Sequence, residues 1–232
     1  MHKYEKRLIL FLDILGFKEM VTRSSIKERQ VDLLVSAVKS LRTLEMESSI
    51  FKSQRLSQFS DNIVLSYKYN TRGSTFWMID QLTSVLIELA YKGILCRGAI
   101  TVGDLLHNKD VVIGPGLVRA HELESKVSIY PRIIIDPSVL ENIVNNISES
   151  NNLKQEKRYI YDYLKRDGDG WDWVDYVSFQ SFTSAGGDPE NYAGYRQQLE
   201  QLVDSYIKSP NASISTKYLW LQEKLRQTGL VN

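Results

Sequence analysis

One cysteine in 232 residues, Cys96, excludes an intrachain disulfide and a cysteine-built zinc cluster, the usage expected of a reducing compartment. It reads as a small buried hydrophobe. The three histidines, His2, His107 and His121, share no metal-ligand spacing. An excess of charge is missing too: 29 Lys and Arg stand against 28 Asp and Glu, a formal net charge of +1, which gives a long polyanion such as nucleic acid nothing to select. A small phosphorylated ligand needs only a local site. Nor is there a long apolar run. After a charged start, Leu8 to Leu12 lasts only until Asp13, too short for a signal segment or a membrane span. The expectation is a cytoplasmic protein with no membrane or nucleic-acid partner, and no internal repeat or low-complexity tract interrupts it.

What is present is an ordinary globular composition, 43% hydrophobic and 25% charged, enough for a sizeable core. Leu8-Ile9-Leu10-Phe11-Leu12 is continuously apolar, the pattern of a central strand covered on both faces. From Ile26 to about Met46, Val31, Leu34, Val35, Val38, Leu41 and Leu44 recur at helical spacing. Arg55 to Phe59 and Ile63 to Tyr67 predict two strands joined at Ser60-Asp61-Asn62, residues that favour tight turns. Phe76, Ile79, Leu82, Leu86 and Leu89 define a second helix, and Ile94 to Val102 another strand. Val111 to Ile113 pairs with it, a helix follows Gly114-Pro115-Gly116 and ends near Glu124, and Arg132 to Ile135 forms a last core strand.

The order β-α-β-β-α-β-β-α-β predicts an α+β sandwich of the ferredoxin-like or polymerase-palm kind, with helices on one face of a mainly antiparallel sheet. A polar stretch, 148 to 152, divides a catalytic domain of residues 1–147 from an aromatic-rich C-terminal extension, 148–232. That extension is expected to pack on the core or a dimer interface, with helices at 191–208 and 213–227. Asp167-Gly168-Asp169-Gly170-Trp171-Asp172 lacks the glycine and glutamate positions of an EF-hand and reads as a turn.

Two carboxylates stand out. Asp13 ends a buried strand and is followed by Gly16; an ionised Asp there is costly unless paired or bound to a cation, although capping the next helix is an equal alternative. Asp61 falls at a hairpin tip. In a ferredoxin-like order, the first strand lies beside the hairpin's first strand, so both carboxylates meet at one sheet end and could share two divalent ions roughly 3.5–4 Å apart. Arg97 and Arg119 are candidate phosphate contacts, each with an equal reading as an ordinary surface charge.

Phe11-Leu12-Asp13-Ile14-Leu15-Gly16-Phe17 resembles the first metal motif of class III nucleotidyl cyclases, and Gln58-Phe59-Ser60-Asp61-Asn62 the second. Arg97-Gly98-Ala99-Ile100-Thr101-Val102-Gly103 is similar to the strand that follows, so the resemblance spans about residues 6–136. Within the class, these runs and Gly114 to Glu124 look most like the pyrimidine cyclases of Pycsar antiphage systems. The resemblance implies cyclisation of a nucleoside triphosphate to a 3′,5′-cyclic nucleotide and pyrophosphate. Two Mg²⁺ or Mn²⁺ ions are implied on Asp13, Asp61 and the carbonyl of Ile14, with backbone N–H groups of Leu15, Gly16 and Phe17 on the phosphates. Phe11, Ser57 and Gln58 join the nucleotide contacts, and Arg119 or Arg97 replaces the family's transition-state pair. A homodimer and a separate effector that senses the product are also implied. The purine cyclases' charged base selector is absent, Ser57 standing at its position, and Pro115, Val118 and Glu122 stand on the last core helix where the family carries Asp, Asn and Arg. A pyrimidine substrate follows, UTP over CTP, with Arg55 and Tyr67 as further base contacts. A cyclase-fold binding module without turnover is the competing reading.

Overall fold

A computed structural model describes residues 2–25, 28–45 and 52–228. The first strand, β1 (Glu5–Ile14), runs through the middle of the sheet. Leu8, Leu10, Leu12 and Ile14 face the main core, while Ile9 and Phe11 join Val64, Leu105 and Ala120 in a second cluster on the other face. Burial on both sides is why the run is apolar without alternation. The chain then turns at Leu15-Gly16 into α1 (Phe17–Ser24) and α2 (Glu28–Arg42). Gly16 holds φ +75° at the start of α1, a conformation glycine adopts without a Cβ clash. The helix expected from Ile26 to about Met46 is α2, and α1 is a further helix before it that the periodicity did not indicate; Ile26 and Met46 themselves lie outside the described residues. Ala37 and Leu41 are buried, whereas Val31 and Val35 are exposed.

The hairpin is β2 (Arg55–Phe59) and β3 (Asn62–Lys68). Its second strand, not its first, pairs with β1, Asp13 lying opposite Asn62, and β2 forms the sheet edge. The ferredoxin-like placement is corrected on this point. The carboxylates still meet, because the Ser60-Asp61 turn is only two residues long and the Ile14 N–H reaches the Asp61 carbonyl at 3.3 Å. Ser60 is the one described non-glycine residue at positive φ (60°), so local strain sits beside Asp61.

Helix α3 (Ser74–Tyr91) lays Met78, Ile79, Leu82, Leu86 and Leu89 in the main core. Strand β4 (Cys96–His107) pairs along all of β1, bringing Arg97 opposite Asp13, and β5 (Val112–Ile113) folds back on it. Cys96 is buried, as its composition suggested. Helix α4 (Pro115–Lys126) lies against the second cluster rather than with α2 and α3, so helices flank both faces. Its approach depends on two glycines: a Cβ on Gly103 would stand 2.6 Å from the Cα of Gly116.

Strand β6 (Ile133–Ile135) runs parallel to β4 and leads into α5 (Pro137–Asn142). Beyond α6 (Leu153–Tyr161), strands β7 (Leu164–Arg166) and β8 (Asp172–Val174) extend the same sheet, giving the order β2-β3-β1-β4-β6-β8-β7. The 167–171 segment between them is the turn expected from its glycines. Helices α7 (Phe179–Ser184), α8 (Tyr192–Tyr206) and α9 (Ala212–Thr228) complete the chain, Tyr195, Leu199, Leu221 and Leu225 joining the main core. Among the described residues no helix is long and apolar enough to cross a membrane.

Candidate active site

Asp13 lies on the α4 face of the sheet, in step with Ile9 and Phe11, its side chain 16% exposed. Arg97, directly across the ladder, donates from Nε to Asp13 Oδ2 at 3.1 Å and stands 2.7 Å from Oε1 of Glu124 on α4. One guanidinium therefore serves two carboxylates. Burial raises the pKa of Asp13; Arg97 opposes this, and Asp61 adds to it as a neighbouring like charge. The same cause, burial, raises Glu124, with Arg97 again opposing and Asp13 adding. Glu124 was absent from the sequence candidates. It could have been found: Gly116, Ala120, Leu123 and Glu124 make the buried stripe of α4, and a glutamate on such a face requires a partner.

The structure brings Asp13, Asp61, Ile14 and Arg97 to one end of the sheet. Ser57 shares their face, since it pairs with Val64, which pairs with Phe11. The Phe11 side chain is buried and edge-on to His121, 5.4 Å between ring centroids. Three placements depart from expectation. Gln58 is on the opposite face, opposite Ile63, and accepts from Arg42 Nε at 3.2 Å. The Leu15 N–H is already bonded to the Leu95 carbonyl at 2.9 Å, which leaves Gly16 and Phe17, at the start of α1, as the backbone donors of that turn. Arg119 donates to Asp136 at 3.0 Å, and Asp136 also takes the Thr101 hydroxyl and the Ser138 N–H. Its partner sits at the level of Thr101 and Ile9, four residues or roughly 13 Å along β1 from Asp13. Of the further base contacts, Tyr67 is buried in the main core and Arg55 bonds the carbonyls of Lys52 and Gln54.

A second residue missed from the sequence is Lys217 of α9. Burial lowers its pKa first, Arg97 next, and Asp13 acts against both, which places its ammonium within electrostatic reach of the pair. Lys217 lines a cavity of about 500 Å³ together with Leu15, Gly16, Lys92, Tyr206 and Tyr218. Nothing in the local sequence of α9 marks it, because the juxtaposition is tertiary.

The oxygens of Asp13, Asp61 and Ile14 are hard donors suited to Mg²⁺ or Mn²⁺. Among the described residues no group of three or more His, Cys, Asp or Glu forms a cage. An ion completed by substrate phosphates needs only one or two protein carboxylates.

No family model matches the chain, and no curated protein is similar to it in sequence. Solved structures are similar to it. The adenylyl cyclase CyaB of P. aeruginosa superposes with a TM-score of 0.51 at 15% identity, over 75% of this chain and 95% of that one. The monomeric guanylyl cyclase domain of the RhoGC fusion protein from the aquatic fungus Blastocladiella emersonii gives 0.46 at 15% identity, over 75% and 96%. The adenylate/guanylate cyclase/hydrolase from Silicibacter pomeroyi gives 0.45 at 13% identity, over 75% and 99%. At 15% identity the likeness to CyaB is one of architecture alone: the chain has the α+β fold of a class III cyclase catalytic domain.

Proposed function

We propose that this protein is a nucleotidyl cyclase that converts a nucleoside triphosphate, UTP in preference to CTP, into its 3′,5′-cyclic monophosphate and pyrophosphate. The single observation that carries the reading is the meeting of Asp13 and Asp61 at one end of β1 and β3, with the Ile14 backbone between them. These residues would hold two divalent ions. Such ions lower the pKa of an attacking hydroxyl and neutralise triphosphate charge during in-line displacement. The protein's own part is to orient. Asp13 and Asp61 fix the α-phosphate end, while the Gly16 and Phe17 N–H groups and the Lys217 ammonium face the leaving phosphates. Arg97 bonds Asp13 and Glu124, and with divalent ions on Asp13 its guanidinium would be available to phosphate. The product would act through a separate effector in antiphage defence, from a homodimer in the cytoplasm.

One observation favours a binding module without turnover. Both candidate arginines, Arg97 and Arg119, are engaged by carboxylates of this chain.

The test is incubation of the purified chain with each of the four NTPs and Mn²⁺, followed by separation of products by mass. Cyclic UMP is expected. Asp13→Asn and Asp61→Asn should each lower turnover by about three orders of magnitude, several kcal/mol of transition-state stabilisation, with an unchanged circular dichroism spectrum. Turnover near wild type in either variant rejects the metal assignment, and metal-dependent UTP binding without product selects the module.

A further inference from the structure

A second cavity, of about 580 Å³, opens between β7, the loop that follows β8 and the last turn of α9. Its volume is in the range that holds small-molecule ligands, roughly 300–1,000 Å³. In the sheet β7 is four strands from β1, roughly 19 Å, so this cavity is not part of the Asp13 site. Two residues that line it carry buried polar atoms for which the fold supplies no partner. Trp173 is 2% exposed and Asp175 1%, and among the described residues neither the Trp173 indole N–H nor Asp175 Oδ2 is hydrogen-bonded. Asp175 Oδ1, by contrast, accepts the N–H groups of Val177 and Ser178 at 2.8 and 3.1 Å, which fixes the carboxylate in place. The Asp175 N–H continues the pairing with the β7 side through the Tyr163 carbonyl at 2.8 Å, so Trp173 and Asp175 are alternate residues of one extended run and share a face. A buried donor and a buried acceptor left open on one face are costly, and such groups in native proteins find a partner. An indole can only donate and an ionised carboxylate can only accept, so the partner must offer an acceptor and a donor together.

The rest of the lining says what kind of molecule that is. Phe179, 50% exposed, and Tyr192 pack edge to face with 5.2 Å between ring centroids, and together they offer an aromatic wall to a flat ring. On β7, Lys165 and Arg166 add positive charge. Arg166 bonds the Gly170 carbonyl and stands 3.7 Å from Asp172, while Lys165 has no side-chain partner among the described residues. We propose that this cavity is a second ligand site and that it takes a nucleotide, whose base edge, an N–H beside a carbonyl or ring nitrogen, meets Asp175 and Trp173 while its phosphate meets Lys165. All four common bases present such an edge, so the site selects the class of ligand rather than one base. The inference goes beyond the cyclase reading and does not rest on it: a chain without turnover at Asp13 would still hold this site.

The test is titration of the full chain with each of the four nucleoside 5′-monophosphates in EDTA, which keeps divalent ions from the Asp13 site. The readout is the NMR cross-peak of the Trp173 indole N–H, assigned by its loss in Trp173→Phe. At least one nucleotide is expected to bind and to move that peak downfield as the N–H gains an acceptor. Asp175→Asn keeps an oxygen for Val177 and Ser178 but turns the open acceptor into a donor, and should weaken binding about tenfold. Lys165→Gln changes an exposed residue, leaves the fold intact and should weaken it about threefold. Asp13→Asn should not weaken it at all. Failure of all four to bind at millimolar concentration, binding that leaves the Trp173 peak in place, or binding lost in Asp13→Asn and kept in Lys165→Gln overturns the proposal and leaves the cavity to solvent. Absence of a cyclic product from the NTP incubation, with the Trp173 shift intact, rejects the cyclase reading alone.

Discussion

Arg97 stands between Asp13 and Glu124, with Asp61 a like charge beside Asp13 and the Lys217 ammonium within electrostatic reach. Burial raises both Asp13 and Glu124 despite the guanidinium they share, a cost that a divalent cation at Asp13 would relieve. His107 is the opposite case, a titratable group kept neutral. Its pKa in the fold is about 4 against an ordinary 6.5, first because of burial and then because of Arg7 and Arg55. Between those values the unfolded chain binds a proton that the fold does not, so this group's contribution to stability is complete above pH 6.5 and is lost as pH falls toward 4. The loss between pH 7 and pH 4.5 should be about 2 kcal/mol, or roughly 4–8 °C in Tm for a chain of this size. Comparison of thermal melts with His107→Gln isolates it, because the variant should lack this part of the pH dependence. Equal slopes for the two proteins would show that His107 is protonated freely in the fold.

At the scale of elements, α9 does two things with one face. Trp220 and Lys224 both bond Asp167, at 2.7 Å each, and Arg132 joins from the start of β6. Burial would raise the Asp167 carboxyl, yet these partners and the Gly168 N–H hold it down at about 2. Lys217 lies on the same face, three and seven residues earlier, its ammonium 3.2 Å from Ser213 Oγ of the same helix and near enough to Arg97 and Asp13 to feel their charges. Lys217→Met should weaken UTP binding about tenfold, close to 1.4 kcal/mol, and leave UMP binding unchanged, while Lys217→Arg should keep most of the affinity. Calorimetric titration with Mn²⁺ present measures both, and equal losses for UMP and UTP would place Lys217 away from the terminal phosphates. None of this was legible in α9 itself, whereas β1, the hairpin and α3 were readable because their patterns are local: a two-sided apolar run, a tight turn, a helical stripe. The α2 stripe shows the limit. Periodicity identified a helix, but Val31 and Val35 face solvent, since spacing does not say what covers a face. The hairpin partner of β1 was misplaced for a related reason: a turn sets which strands pair within a hairpin, and only the packed sheet decides which of them meets β1. Asp13 and Asp61 stand out in the sequence as residue types at element ends, while Glu124, Lys217 and the buried His107 depend on contacts between distant segments.

At the scale of the whole molecule, the carboxylates proposed to hold metal, Asp13 and Asp61, lie at one end of the sheet, and the second candidate arginine is not beside them. Arg119 is anchored on Asp136, roughly 13 Å along β1 from Asp13, and its side chain is 51% exposed. A half-exposed ion pair of that kind is worth about 1 kcal/mol or less, so little holds Arg119 from another phosphate-bearing partner. Beside it on α4, Val118 is 62% exposed, apolar area that a second copy could cover. A twofold dimer would then build each site from Asp13 and Asp61 of one protomer and Arg119 of its partner. Light scattering should report a dimer, and Arg119→Ala should be nearly inactive although it leaves Asp13 untouched. Mixing it with Asp13→Asn discriminates further. Random exchange makes about half of the dimers mixed, each mixed dimer regains one complete site of two, and activity should return to about a quarter of wild type. If Arg119 instead served the site of its own chain, every mixed dimer would carry one broken Asp13 site and one broken Arg119 site, and mixing would restore nothing.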